Sequence, residues 1–540
     1  MKVKYIVALL LFLVFIQGFI IASVKSRTID ELTFHLNSGY GYLTTGRWEI
    51  GINNPPLTAT LAAFPLLFVK DKSQINFNRG TQSDYIQGKV DHLPKKLLVI
   101  SRIIPLIFMT LLGYIVLLWA RDLYGIKAGL LALFLYSFSP NMLAFGSLVT
   151  ADIGGALFIF WAMYAFWKYI HNPTKRNLAI AGIIFGLAQV AKLLAVFLIP
   201  TFILYVVLVY FFKEFKTNFF ISIDNNNLRK ASDLFLSLLA VFIIGLLILN
   251  ITYLFKGVFI PLGKYNKEEF TSSTFKNLYE NKLLKWIPVP LPKQYVLGHD
   301  LAQWQAKDEV RGFFFFGKVA ERFKSYYIGH VLIKTPIALF ILIILGLLYF
   351  RRLTLSELYM TIFVLLILFN LTFFSRLLIG YRHILSIYPI MFLFSSRILK
   401  NGIPKNKIII AVIALSSIWY IASSLLVLPH HLAYFNEFIG GPRNGYKYTI
   451  DSNLDWEQDL DLVKNYIKES KESFLVDPGC QPVTGKLLIP ANSLQFQKWV
   501  CYQWLKQNFE PVGNIGYSWL VYDVKGLWTQ TENGYAFIKA

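Results

Sequence analysis

The sequence predicts a polytopic α-helical membrane protein of about eleven transmembrane helices, with a small extracytoplasmic C-terminal α/β segment. Three observations carry that reading. Hydrophobic residues make up 55% of the 540 and charged residues only 16%, against about 25% charged in a soluble globular chain. Apolar runs approaching the roughly 20 residues needed to cross a bilayer core recur along the first 428 positions. Basic residues gather in alternate loops between those runs, the bias that sets orientation in a membrane.

Met1 to Lys4 is a basic start, followed by an apolar run from Tyr5 to about Ala22. That run is read as a retained helix because it nearly spans a core of roughly 30 Å. A signal peptide cut near Ala22 and Ser23 is the alternative, and in either case the next segment lies outside. Further runs occupy 98–120, 128–141, 147–168, 178–190, 193–212, 232–255, 334–350, 358–374, 382–398 and 406–428; 128–141 and 178–190 are the shortest. With Lys2 and Lys4 inside, the cytoplasmic loops contain Arg121 and Lys127, then Lys168, Lys175 and Arg176, then Lys213, Lys216, Arg229 and Lys230. Arg351 and Arg352 follow, then Lys400, Lys405 and Lys407, while the short outside loops hold little beyond Lys192 and Arg376. The result is eleven spans, an inside N-terminus and an outside C-terminus. The net charge of +22, from 53 Lys and Arg against 31 Asp and Glu, therefore reads as orienting loops that meet anionic lipid headgroups, not as a nucleic-acid footprint. The surplus is also available to a phosphorylated substrate.

Three long polar segments fall outside: 23–97, 256–333 and 429–540. The organisation is thus a transmembrane module over 1–428 and an extracytoplasmic C-terminal domain over 429–540. The latter mixes a helical pattern from Asp455 to Ile467 with strand-like runs such as Trp519 to Val524. Its Cys480 and Cys501 are the only cysteines; an outside location permits a disulfide, and two free thiols fit the sequence equally.

The first outside segment opens on Asp30 and Glu31, immediately after the first span. Adjacent carboxylates at a membrane surface suit a general base and a supporting acceptor; the bland alternative is an ordinary interfacial acidic pair. Residues 30–46 read as a helix ending at Gly46. Pro55 and Pro56 then break and restart the chain, and Ala59 to Val69 forms a second short apolar helix. His35 and Asn54 on this loop are candidate substrate contacts. Asp152 lies at the outer end of the fourth span, where an acid faces a cavity or partner or, with Thr150, caps the helix. Cations gather at the same level: Arg102 at the start of the second span, Lys192 between the fifth and sixth, and Arg382 with Tyr381 and His383 at the tenth. Taken singly, snorkelling to headgroups explains each cation. Jointly they suit an anion, since Arg grips phosphate bidentately and Lys acts as a point charge. Carboxylates on one side and cations on the other fit transfer from a phosphate-linked donor.

No Walker loop is present, which leaves ATP-driven transport without support, and two cysteines exclude a cysteine zinc cluster. No cofactor or metal site is assigned, though a divalent ion held by acids and a histidine stays open. His430-His431 is a poor ligand pair.

The Asp30-Glu31 pair, Asn54-Pro55-Pro56-Leu57, Thr150-Ala151-Asp152 and the stretch from Gly380-Tyr381-Arg382-His383 to Tyr388-Pro389 resemble the protein O-mannosyltransferase and aminoarabinose transferase superfamily, glycosyltransferase 39-like. Tyr434 to Glu437, Gly440 to Pro442 and Asp451 to Trp456 are similar to bacterial members, so the resemblance covers most of 1–460. It implies a GT-C type membrane glycosyltransferase of the plasma (inner) membrane. Such an enzyme performs an inverting, metal-tolerant or metal-independent transfer from a polyprenyl-phosphate sugar donor to an extracytoplasmic acceptor: a protein hydroxyl, a lipid or a cell-envelope glycan. By motif position Asp30 matches the catalytic acid, Glu31 its neighbour and Asp152 the second acid, while Lys192 and Arg382 sit where relatives contact the lipid phosphate. The chain departs from eukaryotic O-mannosyltransferases in lacking a recognisable β-trefoil in 256–333. A transporter or flippase for a lipid-linked or anionic solute is the rival; it calls for charges deep in the spans and repeated halves, neither of which the sequence displays. A non-catalytic envelope scaffold leaves the paired acids unexplained.

Overall fold

All eleven apolar runs are helical in the computed structural model, which describes residues 2–48, 51–77, 81–89, 93–215, 221–222, 231–350, 352–496, 500–531 and 534–538. The orienting cations Lys216, Arg229, Lys230 and Arg351 lie outside the described residues. Among the described residues seven helices are long and apolar enough to cross a membrane, and two bent pairs raise that to nine. The bends follow from proline. Pro140 opens the helix Pro140–Gly146, which departs by 62° from Ile126–Ser137, and Pro336 precedes Ile337–Tyr349, which departs by 100° from Tyr326–Lys334. Each ring removes a backbone donor and disfavours a continuous helix through that point.

The remaining two runs are shorter. Lys175–Ala191 is capped by Thr174, whose hydroxyl accepts from the Asn177 amide at 3.1 Å. It packs tightly on Ala231–Thr252, because a Cβ on Gly186 would stand 2.7 Å from the Gly245 carbonyl oxygen; small residues let apolar helices approach this closely. The tenth run is a 3₁₀ turn, Tyr381–Ile387, that becomes the helix Tyr388–Ser396.

The first outside segment follows its expected outline. A π-turn, Glu31–Leu36, leads into the helix Asn37–Thr45, which ends at Gly46 in the left-handed region (φ +68°). The chain restarts at Pro56–Ala63 and continues as the 3₁₀ turn Phe64–Phe68. Within 256–333 the described structure is short helices, including Lys293–Lys307, and a hairpin pairing Phe313–Phe315 with Lys318–Ala320.

Beyond the last span lies a four-stranded sheet ordered Phe474–Val476, Gly485–Pro490, Trp519–Val524, Gly513–Ile515, parallel at the first pair and antiparallel thereafter. Both faces are covered, as the period-2 pattern requires. Leu487, Ile489, Leu520 and Tyr522 pack on Phe435 and Leu505. Leu488, Trp519 and Val521 pack on Leu460 and Val463 of the helix Leu460–Ser470, and on Ile86 of the first outside segment. Cys480 and Cys501 form a disulfide. The expected helix starts at Leu460 rather than Asp455, because residues 451–459 spend their polar groups on other parts of the chain.

Asp455 illustrates that expenditure. It is fully buried, its Oδ2 accepts from the Asn492 amide at 3.1 Å, and burial pushes its carboxyl up to about 7. The ordinary unfolded value is about 3.9, so the folded chain binds the extra proton between the two values. Stability is therefore highest at the acidic end and falls as pH rises from about 4 through about 7. The melting temperature of the native chain is expected to drop more between pH 5 and pH 8 than that of Asp455→Asn; parallel profiles would remove this role.

Candidate active site

Four charged side chains from four elements meet at one end of the helix bundle. Asp30 precedes the π-turn, and Asp152 sits in the first turn of Ala151–His171, whose cap Thr150 accepts from the Asp152 amide at 3.4 Å. Lys192 ends Lys175–Ala191 in an extended conformation, which turns its side chain off the helix; Gly155 admits the stem, since a Cβ there would lie 2.6 Å from Lys192 Cδ. Arg382 lies in the 3₁₀ turn Tyr381–Ile387.

The charges alternate. Lys192 Nζ donates to Asp152 Oδ1 at 2.6 Å and to the Arg382 carbonyl at 3.2 Å. Arg382 Nη1 lies 2.9 Å from Asp30 Oδ2 and 3.9 Å from Asp152 Oδ2. Its guanidinium carbon sits 4.4 Å from the ring centroid of Trp456, a cation–π contact. Asp30 is the most open of the four side chains, at 17% exposure against 6% for Asp152. Asp152 Oδ2, Arg382 Nε, His35 Nδ1 and His383 Nε2 are buried and find no hydrogen-bond partner among the described residues. Orphaned polar atoms are rare in folded chains, and here they cluster around the same charges. Burial pushes the His35 imidazole down, against the opposing pull of Asp30 and Asp152.

Three of the expected contact residues are engaged elsewhere. Arg102 uses all five N–H groups: Nε and Nη2 on the Glu31 carboxylate at 2.8 and 2.6 Å, Nη1 on the Ala22 and Lys25 carbonyls at 2.7 and 2.8 Å, and Nη2 on the Ser26 carbonyl at 2.7 Å. It has no donor left for a phosphate. Glu31 is equally saturated, accepting also from the Val149 and Thr28 amides at 2.8 Å each. Burial pulls its carboxyl up, but Arg102 and those amides hold it below the ordinary range. Both residues are fully buried and spend their polar atoms on one another and on the backbone. Tyr381 is likewise buried, its hydroxyl donating to Asn141 and its amide to Asn453 Oδ1 at 2.9 Å. Asn54 donates to Asn53 at 3.3 Å, and no hydrogen bond ties it to the acids among the described residues.

The C-terminal contribution was hidden in the sequence. Residues 451–461 dock on the start of the first outside segment. Lys25 pairs with Asp459, Arg27 with Glu457, and the Ser26 and Ile29 amides donate to the Gln458 and Trp456 carbonyls at 2.9 and 3.3 Å. Asp451 stands near Arg382, with Arg311 Nη2 3.7 Å from its Oδ2. The visible signal was a run of acids and amides, Asp451 to Asp459, following the last span. Among the described residues no group of three His, Cys, Asp or Glu side chains is arranged to hold a metal ion.

The family model for dolichyl-phosphate-mannose-protein mannosyltransferases matches residues 84–221. An ArnT from Cupriavidus metallidurans, solved with undecaprenyl phosphate, superposes over 95% of this chain and 97% of its own at 11% identity, with a TM-score of 0.50. The chain shares the GT-C type membrane fold of that protein. Two further structures are similar to this chain. The oligosaccharyltransferase AglB from Archaeoglobus fulgidus, in complex with an inhibitory peptide and a dolichol-phosphate, shares 14% identity over 77% of this chain and 56% of its own, at a TM-score of 0.45. The protein O-mannosyltransferase Pmt1-Pmt2 complex of S. cerevisiae, bound to its sugar donor, shares 16% over 59% and 39%, at 0.37. The chain thus spans about half the length of AglB. Comparison with curated proteins finds no match.

Removing one partner of a buried pair leaves an uncompensated charge, at a cost of about 3–5 kcal/mol. Arg102→Ala is therefore expected to lower the melting temperature in detergent far more than Arg382→Ala. Equal shifts would undo the division between positioning and contact residues.

Proposed function

We propose that this protein is an integral plasma-membrane glycosyltransferase of the GT-C type that moves a sugar from a polyprenyl-phosphate donor to a hydroxyl acceptor on the extracytoplasmic face. The observation that carries the reading is the alternating set Asp30–Arg382–Asp152–Lys192, two acids and two cations packed within ion-pair distance at the ends of spans. Phosphate and acceptor chemistry need both signs side by side. Asp30, the most open acid, takes the proton of the acceptor hydroxyl. The acceptor oxygen bonds to the anomeric carbon as the bond from that carbon to the phosphate oxygen breaks, and the electron pair leaves with the polyprenyl phosphate. Arg382, through its unpartnered Nε, and Lys192 meet the negative charge that builds on the phosphate. Asp152 orients both cations. Attack opposite the leaving group inverts the anomeric centre.

An apolar cavity of about 540 Å³ supports a lipid-linked donor. It is lined by Phe185, Phe242, Leu246, Leu249 and Tyr295, and two of its residues, Gln189 and Val196, flank Lys192 in sequence. An isoprenoid tail seated there brings its phosphate toward Lys192.

In proteoliposomes supplied with a polyprenyl-phosphate sugar, Asp30→Asn is expected to lose about 10²- to 10⁴-fold in turnover, the usual contribution of a general base, while still binding donor. Arg382→Ala and Lys192→Ala are expected to weaken apparent donor affinity by about 1.5–3 kcal/mol, one charge-assisted hydrogen bond. Near-normal turnover in Asp30→Asn would sink the assignment. A reporter active only outside the cytoplasm, fused after Ala540, is expected to be active; a signal confined to the cytoplasm would reverse the topology.

A further inference from the structure

A second cavity, polar and of about 640 Å³, lies between residues 430–447, after the last span, and the loop 510–520 of the C-terminal sheet. Its volume falls within the range of ligand sites, about 300–1,000 Å³. It is separate from the apolar cavity, with which it shares no residue. Its lining is rich in hydrogen-bond donors: Arg443, Lys447, the amides of Asn444 and Asn514, and His430. Against these stands one carboxylate, Glu510, 81% exposed and 3.8 Å from Lys447. Tyr446 and Tyr517 supply aromatic surface, and the His430 ring meets Tyr517 edge-on at 5.6 Å.

The histidine is set by what lies behind it. Lys25 Nζ, on a residue only 3% exposed, stands 2.6 Å from His430 Nδ1 while pairing with Asp459. An ammonium can only donate, so Nδ1 accepts and the ring proton stays on Nε2, one more donor. Asp459 is itself held by Ser518 Oγ at 2.6 Å and Gln458 Nε2 at 2.9 Å. Gly516 presses on it so closely that a Cβ would stand 2.5 Å from the carboxyl carbon, which pins the loop carrying Tyr517. The cavity wall is therefore built on a buried charged network. Lys25 belongs to that network and lies five residues before Asp30, a span of at most about 18 Å even if fully extended.

We propose that this cleft is a binding subsite for an anionic carbohydrate, the acceptor side of the transfer centre. Aromatic faces with polar edges and planar amides suit hydroxyl-rich rings, and the guanidinium of Arg443 suits a carboxylate or phosphate carried on them. As an acceptor subsite it rests on the transfer reading above; as a carbohydrate site it does not.

The test is direct binding to the full chain in detergent, followed by fluorescence anisotropy, with an end-labelled trisaccharide of a hexuronic acid and a neutral glucose trisaccharide as probes. Saturable binding of the acidic probe is expected. The double variant Arg443→Ala/Lys447→Ala is expected to weaken it about tenfold, the size of one charge-assisted contact. Asn514→Ala, an exposed change on the edge strand Gly513–Ile515, is expected to weaken both probes, whereas Lys468→Ala, an exposed cation on the neighbouring helix, leaves binding unchanged. Absence of saturable binding, or equal affinity in the double variant, would overturn the subsite. So would displacement by anionic-lipid vesicles but not by free unlabelled trisaccharide, which would make it a headgroup site. The binding measurement contains no donor and is read beside the proteoliposome transfer assay above: binding with no transfer there keeps the carbohydrate site and removes the enzyme reading, and transfer without binding does the reverse.

Discussion

The geometry of the site depends on one buried ion pair. Arg102 gathers the carbonyls of Ala22, Lys25 and Ser26 and both oxygens of Glu31 around a single guanidinium, so the chain leaving the first span is wound to a fixed shape before it reaches Asp30. The same Glu31 carboxylate accepts the Val149 amide, three residues before Asp152. Both acids of the site are thus referenced to one pair. Such pairs contribute little net stability, because desolvation offsets much of their attraction. Their value here is positional: with every donor and acceptor assigned, the loop has few other ways to sit.

A second pair of the same kind closes the opposite end of the bundle. Arg397 donates to Glu357 from Nε at 2.5 Å and Nη2 at 3.1 Å, and Tyr124 adds a third bond at 2.8 Å. These residues lie at the ends of spans whose other ends approach the site, so the helices are pinned at both levels. Between the pins the packing is aromatic, with Trp119 fully buried among Phe160, Tyr164, Trp167 and Tyr359.

The sequence made the fold class legible because hydropathy and short motifs report local facts. Gly46 ends its helix and Pro55-Pro56 restarts the next as their backbone limits require. Asp30, Asp152, Lys192 and Arg382 were visible as charges at span ends on one face, and the structure brings these four together. The division of labour among the charges was not legible. Nothing local distinguishes Arg102, with five engaged donors, from Arg382, with Nε unpartnered; that difference arises from carbonyls contributed by another helix. The docking of 451–461 was equally hidden, since its partners lie more than 400 positions away. Bends at Pro140 and Pro336 changed two runs from simple spans to angled pairs, which a hydropathy reading cannot resolve.

The clamp between Lys25 and Asp459 joins residues 434 positions apart, and this bears on how the protein is made. The loop bearing Asp30 emerges early in synthesis, while the segment that braces it, and that places Trp456 under Arg382, emerges near the end. Until that later stretch has folded, the acids and cations stand without their cover. A chain that lacks the later segment therefore lacks the braced arrangement of charges, and the arrival of that segment completes it.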